Sequence, residues 1–401
     1  MIKIDDIRNA QNTLSSIIRK TDLILAPNIC EDNKVYLKAE NLQVTGSFKI
    51  RGAYNKISSL TDAEKQKGVI ACSAGNHAQG VALAATKKGI KSLICIPSCA
   101  PISKIEKTKK YGAEVCLVDG VYDDAYNKAC ELQKQSGAVF IHPFNDDEVI
   151  AGQGTIGMEI LEQLPSVDAV IVPVGGGGLI SGVAFAIKTL KPTCKVYGVQ
   201  ASGAAGMLNA LEKKSLEPLK EVSTFADGIA VKCPGDRTYD YCRKYVDEIV
   251  TVSDNEIATA ILELIEKQKI VAEGAGAASV AAAMFNKLNL HGKNVVCVVS
   301  GGNIDVTILS RVITRGLMEE GRFGQIFVDM ADRPGQIKEI SAIIAKLGGN
   351  IISIHHDRNV ATRAINSCVL SVTIETKDAE QFGGICKAIS KAGYKLSNTL
   401  N

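Results

Sequence analysis

Short hydrophobic runs alternate with amphipathic segments through the first three quarters of the chain. Several runs are apolar on both faces and rich in β-branched residues, as is typical of buried parallel strands. They are KVYLKA, GVIACS, SLICIP, AEVCLV, DAVIVPV, KVYGVQ, EIVTVS and NVVCVVS. Apolar residues at helical spacing lie between them, in HAQGVALAATKKG, ISKIEKTKKYG, LISGVAFAIKTL and DNEIATAILELIEKQ. This alternation predicts an α/β protein with parallel sheets covered by helices.

The pattern changes at about residue 321. The segments GQIFVDM, QIKEISAIIAKLG, NIISIHHD, SCVLSVTIET and DAEQFGGICKAISKAG, followed by a short last strand, have the order β-α-β-β-α-β. This is the order of the ferredoxin-like module, and the tail is long enough to form a small separate domain. We therefore expect one part at 1–320 and a second at 322–401, with EEGRFG as the hinge.

The amino-acid composition disfavours nucleic acid, metal ions and membranes as partners. The net charge is only +3, tryptophan is absent and aromatic residues make up 5%, so nucleic acid is not an expected partner. The twelve cysteines form no C-x-x-C pair and read as reduced, buried thiols, which predicts neither a disulfide framework nor a metal site. The start MIKIDDIRNAQ has no apolar signal segment, and no stretch is long enough to span a membrane. These features predict a cytoplasmic protein without a membrane partner.

The strongest local motif is DAVIVPVGGGGLISGVAFAI, in which a strand leads through Gly175 to Gly178 directly into a helix. Backbone N–H groups of such a turn converge on an anion at the positive end of the helix. A dinucleotide fold is disfavoured because Ile180 replaces the third glycine of G-x-G-x-x-G, and the next strand ends in Gln200 rather than an acidic residue. The turn suits a small phosphate monoester, and a tight turn without a ligand is the alternative.

Two further strand ends carry polar turns. GVIACSAGNHAQGVALAA places Asn76 and His77 at the start of a helix, where Asn76 is either a helix cap or a donor to a ligand, and His77 reads as a structural histidine. NVVCVVSGGNID ends a buried strand in Ser300. Turns at the carboxyl ends of parallel strands face one crevice. With Lys49, which lies between Phe48 and Ile50 where desolvation lowers its pKa, these are the parts needed to hold pyridoxal phosphate.

The motifs GSFKIRGA, SAGNHAQG, GGGGLISG and SGGN, in this order and at this spacing, resemble those of the fold-type II pyridoxal phosphate enzymes. Within that class the chain is similar to threonine dehydratases (threonine ammonia-lyases) with a C-terminal ACT domain. The resemblance implies a tryptophan synthase β-like, two-lobed catalytic domain at 1–320, with a smaller lobe at about 52–145, and an ACT regulatory domain at 322–401. It also implies conversion of L-threonine to 2-oxobutanoate and ammonia, and of L-serine to pyruvate.

The resemblance implies a role for each motif residue. Lys49 would form the Schiff base with pyridoxal 5′-phosphate and then act as the base at the substrate Cα. The cofactor would also be held by Phe48 beside the ring, Asn76 at the 3′-oxygen, Ser300 at the pyridine nitrogen, and Gly175, Gly176, Gly177, Gly178 and Leu179 around the phosphate. The substrate carboxylate would be held by Ser73, Ala74, Gly75, Asn76 and His77. Glu273 is a weaker candidate near the ring, with a helix-start carboxylate as the favoured interpretation; the proton donor to the leaving hydroxyl stays open.

A serine racemase of the same fold is the nearest alternative function. Racemases of this type carry a second serine where this chain has Ala74, and acidic metal ligands where it has Gln200, Ala204 and Gly206. Ser300 also favours a lyase, because a hydroxyl does not keep the pyridine nitrogen protonated and so favours prompt loss of a β-substituent. An intact Lys49 disfavours another alternative, a non-catalytic amino-acid sensor.

The C-terminal segments ADRPGQI and LGGNIISI resemble the ligand-binding turn and facing strand of ACT domains. The resemblance implies that Asp332, Gly335 and Asn350 bind an amino-acid effector at a dimer interface, whereas a module used only for dimerisation is the alternative. A nucleotide effector also stays open, as do a homodimer or a homotetramer and a role in isoleucine biosynthesis or in threonine catabolism. A single module of this kind favours the catabolic role.

Overall fold

The computed structural model of the chain describes residues 1–358 and 366–397. The chain divides into two compact units, Met1–Asp305 and Val306–Asn401. The helix Val306–Glu319, which the sequence pattern assigns to the N-terminal part, falls in the second unit.

In the first unit, every residue of which is described, the α-helices are α1 (Ile4–Leu14), α2 (Lys49–Ser58), α3 (Asp62–Lys67), α4 (Asn76–Lys87), α5 (Ile102–Lys110), α6 (Tyr122–Ser136), α7 (Asp147–Gln163), α8 (Gly178–Leu190), α9 (Gly206–Lys213), α10 (Asp236–Tyr245), α11 (Asp254–Glu263) and α12 (Gly274–Met284). Its strands are β1 (Leu23–Leu25), β2 (Lys34–Ala39), β3 (Val69–Cys72), β4 (Ser92–Pro97), β5 (Glu114–Val118), β6 (Val139–Phe140), β7 (Ala169–Pro173), β8 (Lys195–Ala201), β9 (Glu248–Val252) and β10 (Asn294–Val299).

These strands form two sheets. The larger sheet has the order β1-β2-β10-β7-β8-β9 and is parallel except for its edge strand β1. The smaller sheet has the order β5-β4-β3-β6 and is parallel throughout. Because both sheets are covered by helices, their central strands are buried on both faces, as in the AVIVP run of β7. The predicted α/β class with parallel sheets is confirmed.

The second unit contains α13 (Val306–Glu319), α14 (Gln336–Lys346) and α15 (Ala379–Lys391), with strands β11 (Phe323–Ala331), β12 (Asn350–Asp357), β13 (Ser367–Glu375) and β14 (Lys395–Ser397). Its sheet has the order β12-β13-β11-β14, and the neighbouring strands run antiparallel. The helices α14 and α15 supply Ile340, Ile344 and Ile385 to one core against this sheet. The predicted β-α-β-β-α-β module is confirmed.

Helices α2 and α7 cross so closely that their contact requires glycine on both sides. A Cβ atom built on Gly152 of α7 would lie 2.6 Å from the backbone oxygen of Arg51. One built on Gly52 of α2 would lie 2.8 Å from the backbone oxygen of Val149. Since real Cβ contacts are longer than this, any larger residue would push α2 away from α7. The crossing therefore fixes the position of the helix that begins at Lys49.

Four buried charges surround the same crossing. Arg51 of α2 donates to Glu40, just after β2, at 2.7 and 2.8 Å, and to Glu159 of α7 at 2.6 and 3.0 Å. Lys38 of β2 also donates to Glu159, at 2.6 Å. All four residues are at most 3% exposed. Burial alone would raise the pKa of Glu40, but the charge and hydrogen bonds of Arg51 hold it below its ordinary value. The two cations and two anions leave this cluster, the buried charge quartet, neutral.

Among the described residues, none of the helices combines the length and the apolarity that crossing a lipid bilayer requires.

We expect the substitution Glu159→Gln to lower the free energy of unfolding by about 3–5 kcal/mol, because it leaves two buried cations facing the single anion of Glu40. Urea unfolding measures this difference. Glu162→Gln is the matched control, since Glu162 lies on the same helix and pairs with Lys20 at 2.8 Å but is 43% exposed. The control should lose at most about 1 kcal/mol. Equal losses in the two variants would contradict the role given to the quartet.

Candidate active site

Lys49 is held at the start of α2 by the strand end of β10. Ser47 forms an antiparallel bridge with Gly301, and the Phe48 N–H donates to the Ser300 oxygen at 3.1 Å. The Lys49 amine donates to the Pro143 oxygen at 2.9 Å and lies 5.2 Å from the centre of the Phe48 ring. The segment predicted to carry the Schiff-base lysine therefore lies beside Ser300.

The environment of Lys49 changes its acidity. Burial lowers the pKa of the Lys49 amine to about 8, against the opposing effect of the Glu273 carboxylate, which raises it. A neutral amine is the form that attacks a carbonyl carbon or removes a proton. With a pKa of about 8, the neutral fraction of Lys49 at neutral pH is far larger than that of an exposed lysine.

The glycine turn lies between β7 and α8. Gly177 has φ +94°, in the left-handed region, and the Thr238 hydroxyl donates to the Gly176 oxygen at 2.6 Å. A Cβ atom on Gly176 would lie 2.3 Å from the Phe144 ring, so no side chain fits there. Among the described residues, no hydrogen bond engages the N–H groups of Gly175 to Gly178. Free N–H groups at a helix N-terminus are the donors that an anion site needs, so the phosphate role of this turn stays a prediction.

The turn Ser73 to His77 leads from β3 into α4. The Ser73 hydroxyl accepts a hydrogen bond from the Gly75 N–H at 3.1 Å, and no described group pairs with the N–H groups of Ala74, Asn76 and His77. His77 Nε2 lies 2.8 Å from the Ile141 oxygen, and burial lowers the pKa of its ring to about 3. His77 is thus a structural histidine, and the turn offers backbone donors that suit a carboxylate.

Asn76 lies at the centre of a side-chain hydrogen-bond chain. Its Nδ2 donates to Glu273 Oε1 at 2.6 Å, and its Oδ1 accepts from Asn303 Nδ2 at 2.7 Å. Asn303 also donates to the Thr45 oxygen at 2.8 Å and accepts from the Lys107 amine at 2.6 Å. Since both partners fix the orientation of the Asn76 amide, Asn76 is not a helix cap. The helix α4 begins at Asn76 itself, after Gly75.

Glu273 lies just before α12, but its side chain makes no capping hydrogen bond to that helix. The residue is only 5% exposed, and burial raises the pKa of its carboxyl to about 7, helped by the negative charge of Asp227. The hydrogen bond from Asn76 acts in the opposite direction. Glu273 does lie at the start of a helix, as the favoured sequence interpretation expects, but its carboxylate accepts a hydrogen bond from Asn76 and not from the helix N–H groups.

Ser300 lies at the carboxyl end of β10. In the parallel pair of β10 and β7, Cys297 lies opposite Ile171. Three residues further along both strands, Ser300 therefore lies opposite Val174, just before the glycine turn. Ser300 is 3% exposed, and no hydrogen bond to its hydroxyl occurs among the described residues. The nearby Ser47 hydroxyl is also buried without a partner.

These groups fit a phosphorylated aromatic cofactor. The free amides suit a phosphate, the Lys49 amine suits an aldehyde, and the unpaired Ser300 hydroxyl suits a ring nitrogen. Buried polar groups without partners are rare in proteins, so the unpaired Ser47 hydroxyl and the free amides of the two turns are consistent with a ligand site beside Lys49. Phe48, Asn76 and Leu179 lie on the same three segments.

Some residues of the site are not recognisable from the sequence motifs. Asn303 is the last residue of SGGN, but only its contact with Asn76, from a distant segment, reveals that it orients that amide. Pro143 and Phe144 follow β6, which has two residues, and the Lys49 contact identifies them. A strand-end signal as short as β6 was too weak to find this turn.

Asp332, Gly335 and Asn350, which are predicted to bind the effector, lie far apart within one copy of the second unit. Asp332 follows β11 and Gly335 precedes α14, so both lie at the end of the sheet where Ala331 pairs with Ser367. Asn350 pairs with Glu375 at the opposite end of β13. With eight residue steps between these ends, the separation is roughly 25 Å. One effector molecule could contact all three residues only if two copies contributed to the site.

Two family descriptions match the chain. Residues 14–301 match the family described as pyridoxal-phosphate dependent enzyme, and residues 324–382 match the ACT domain. The L-threonine ammonia-lyase of Thermotoga maritima is 50% identical over 400 residues, which are 99% of each chain.

Two solved structures share the fold. Threonine deaminase isoform 2 from Solanum lycopersicum superposes with a TM-score of 0.72 at 37% identity, covering 78% of this chain and 93% of that one. Maize serine racemase superposes with a TM-score of 0.74 at 36% identity, covering 79% and 98%. The fold is therefore common to lyases and racemases.

We expect Asp227→Asn to lower the pKa of Glu273 below about 7, because it removes a negative charge that raises this pKa and leaves Lys104, which lowers it, without its ion-pair partner. Carbon-13 NMR of labelled glutamate side chains would follow the titration, with Glu273→Gln assigning the signal. Asp236→Asn is the control, since Asp236 bonds to Asn145 and is not among the groups that shift Glu273. An unchanged or higher midpoint in Asp227→Asn would contradict this electrostatic account.

Proposed function

Since the chain belongs to the pyridoxal-phosphate dependent enzymes, and among them to the L-threonine ammonia-lyases with a C-terminal ACT domain, we propose that Lys49 is its catalytic residue. The observation that carries this proposal is a lysine amine with its pKa lowered to about 8, on a segment bonded to Ser300 and facing the Pro143 turn. No other residue of the site combines a nucleophilic amine with such surroundings.

Pyridoxal phosphate, when bound, supplies an electron sink for the pair of electrons left at the substrate Cα. Lys49 would hold the cofactor covalently and, once displaced by the substrate amine, take the Cα proton at its Nζ. The lowered pKa supports both roles, because each needs the neutral amine.

The other residues would bind and orient. We assign the N–H groups of Gly175 to Leu179 to the phosphate, with Ser300 at the ring nitrogen and Phe48 beside the ring. Asn76 would donate its second amide proton to the ring oxygen, held in place by Asn303 and Glu273. The free N–H groups of the turn from Ser73 to His77 would hold the substrate carboxylate. Because Glu273 bonds to Asn76, we propose that it sets the charge near the ring oxygen rather than protonating the leaving hydroxyl.

Both L-threonine and L-serine are proposed substrates. They differ by one methyl group, and a pocket discriminates one methyl group by only about 1–3 kcal/mol. L-threonine would give 2-oxobutanoate and ammonia, and L-serine would give pyruvate and ammonia.

The surroundings of Gln200 support a lyase over a racemase. Its Nε2 donates to the oxygens of Val174 and Ala204 at 3.1 and 3.3 Å, and its Oε1 accepts from the Leu208 N–H at 2.8 Å. This side chain is fully used by local hydrogen bonds, at the position where the racemases that the chain resembles carry a metal ligand. Ala74 likewise offers no hydroxyl to act as a second base on the opposite face of the substrate.

We expect Lys49→Ala to lower the rate of 2-oxobutanoate formation from L-threonine by more than about 10³-fold, because nucleophile and base are lost together. The assay measures oxo acid and ammonia from L-threonine and L-serine with added pyridoxal phosphate, and D-serine in parallel. Lys56→Ala is the matched control, since Lys56 lies on the same helix and pairs with Asp146. It should retain most of the activity.

Each other outcome of this assay has a definite meaning. D-serine formed faster than pyruvate from L-serine would establish the racemase. If the wild-type chain binds the cofactor but forms no product, the non-catalytic amino-acid sensor would be favoured. Activity that survives Lys49→Ala would remove Lys49 from the mechanism.

We also propose that the ACT domain binds an amino-acid effector between two copies of the chain. One copy would contribute Asp332 and Gly335, and the other would contribute Asn350, because these residues lie at opposite ends of one sheet. The carboxylate suits the effector ammonium, and the amides at the start of α14 suit its carboxylate. This arrangement requires at least a homodimer.

We expect an amino acid from the standard twenty to change the rate of threonine deamination, and Asp332→Ala to raise the effector concentration for half-maximal response at least about tenfold, through loss of a charged hydrogen bond. Steady-state kinetics across an effector titration measures this change. Glu380→Gln alters an exposed carboxylate of the same module and should change neither the rate nor the response. A response only to nucleoside monophosphates, or one unchanged in Asp332→Ala, would contradict the proposed site.

A further inference from the structure

Three side chains from distant parts of the sequence meet at one end of the sheet in the second unit. Cys368 of β13 pairs with Met330 of β11. Asp332 lies two residues beyond Met330, so the side chains of Asp332 and Cys368 are on the same face of the sheet. His356 of β12 pairs with Leu370, which lies two residues beyond Cys368, and shares that face too. Cys368 and Leu370 belong to the core beneath α14 and α15. The three strands thus present a carboxylate, an imidazole and a thiol to one point.

The donor atoms of these residues are close together. One oxygen of Asp332, one ring nitrogen of His356 and the Cys368 sulfur all lie within 4.8 Å of one another. His356 Nε2 lies 3.9 Å from Asp332 Oδ1. Donor atoms around a tetrahedral zinc ion are about 3.3–3.8 Å apart, given bonds of 2.0–2.3 Å. Adjusting the side chains by about 1 Å would complete such a site.

The ring nitrogen His356 Nε2 is buried without a described hydrogen-bond partner. The atom is buried, yet no hydrogen bond to it occurs in the part of the chain that the structure describes. A buried polar atom without a partner is rare and calls for an explanation, and a bound ion is one of the few available.

We propose that Asp332, His356 and Cys368 bind a divalent transition metal ion of the zinc type. A set of one thiolate, one imidazole and one carboxylate suits zinc and its borderline-soft neighbours, and does not suit magnesium or calcium, which take oxygen ligands. Three protein ligands leave the fourth tetrahedral position to water. The ion would tie the end of β11, where the turn to α14 begins, to β12 and β13.

The neighbouring charges are compatible with this ion. Arg358 donates to Asp332 Oδ2 at 2.8 Å, which leaves Oδ1 toward His356 and fixes the carboxylate as an outer partner does in metal sites. Burial raises the pKa of the Cys368 thiol, so the ion must displace the thiol proton. Binding should therefore release a proton and strengthen as the pH rises.

The sequence alone does not predict this metal site. Its three residues have none of the short spacings of zinc motifs, and His355-His356 reads as an exposed strand end. Only His355 is exposed in that pair, whereas His356 points to the core face. Strand pairing alone brings the ligands together.

Cobalt(II) titration of the full chain with its cofactor tests the proposal, because cobalt replaces zinc and shows a thiolate-to-cobalt absorption band. We expect one cobalt ion per chain to produce this band and zinc to abolish it. Cys368→Ser should remove the band, and His356→Gln should weaken binding by more than about 100-fold. The matched controls are Cys386→Ser and His355→Gln, which alter a half-buried thiol and an exposed imidazole of the same module and should keep the band.

The outcomes are decisive in either direction. Absence of the band at a large excess of cobalt, or its persistence in Cys368→Ser, would overturn the proposal. If Cys368→Ser does not fold, His356→Gln decides alone, since it alters a partly exposed residue near the end of an edge strand. Asp332 is left out of the test because the proposed effector site uses the same carboxylate, so the metal ion and the effector ammonium would compete for it. Loss of metal binding and loss of effector response are therefore separable results.

Discussion

The position of Lys49 depends on the buried charge quartet, whose side chains are almost completely shielded from solvent. Arg51 lies two residues after Lys49 on α2 and is fixed by four short hydrogen bonds to Glu40 and Glu159. Rotating or shifting α2 would separate buried charges whose partners cannot be replaced by solvent, at a cost of several kcal/mol. The glycine contact between α2 and α7 adds a steric limit to this electrostatic one. The start of α2 is thereby held by both charge pairing and close backbone contact.

This constraint fixes Lys49 relative to the carboxyl ends of the strands. Glu40 follows β2, which pairs with β10, and Ser300, whose backbone oxygen accepts the Phe48 N–H, follows β10. The glycine turn follows β7, the other neighbour of β10. The lysine, the serine and the free amides are therefore positioned by one continuous set of paired strands. The chemistry of the site follows from this geometry, since it holds an amine of lowered pKa next to groups that can bind a phosphate and a ring nitrogen.

The sequence predicts the parts of this structure that have a local signal. Alternation of apolar runs and amphipathic segments was sufficient for the parallel sheets and for the antiparallel C-terminal module, and the strand–glycine–helix motif was sufficient for the turn between β7 and α8. Asn303 and Glu273 could not be assigned in this way, because their roles arise from contacts with Asn76, about 200 residues away in the chain. The buried state of Lys38 is equally unreadable, since a lysine inside KVYLKA resembles the polar face of any strand. Residues whose function depends on long-range pairing are the ones that local patterns miss.

The distribution of satisfied and unsatisfied polar groups separates the scaffold from the site. In the buried charge quartet every charge has a partner, and such a network holds its geometry without any ligand. Around Lys49, by contrast, the amides of the glycine turn and the hydroxyl of Ser47 have no described protein partner. The scaffold prevents these groups from turning toward one another, because the strands and helices that carry them are fixed elsewhere. Their unpaired state is thus maintained by the fold, and the binding of a phosphate and a ring nitrogen is favoured because it restores hydrogen bonds that the protein alone cannot make.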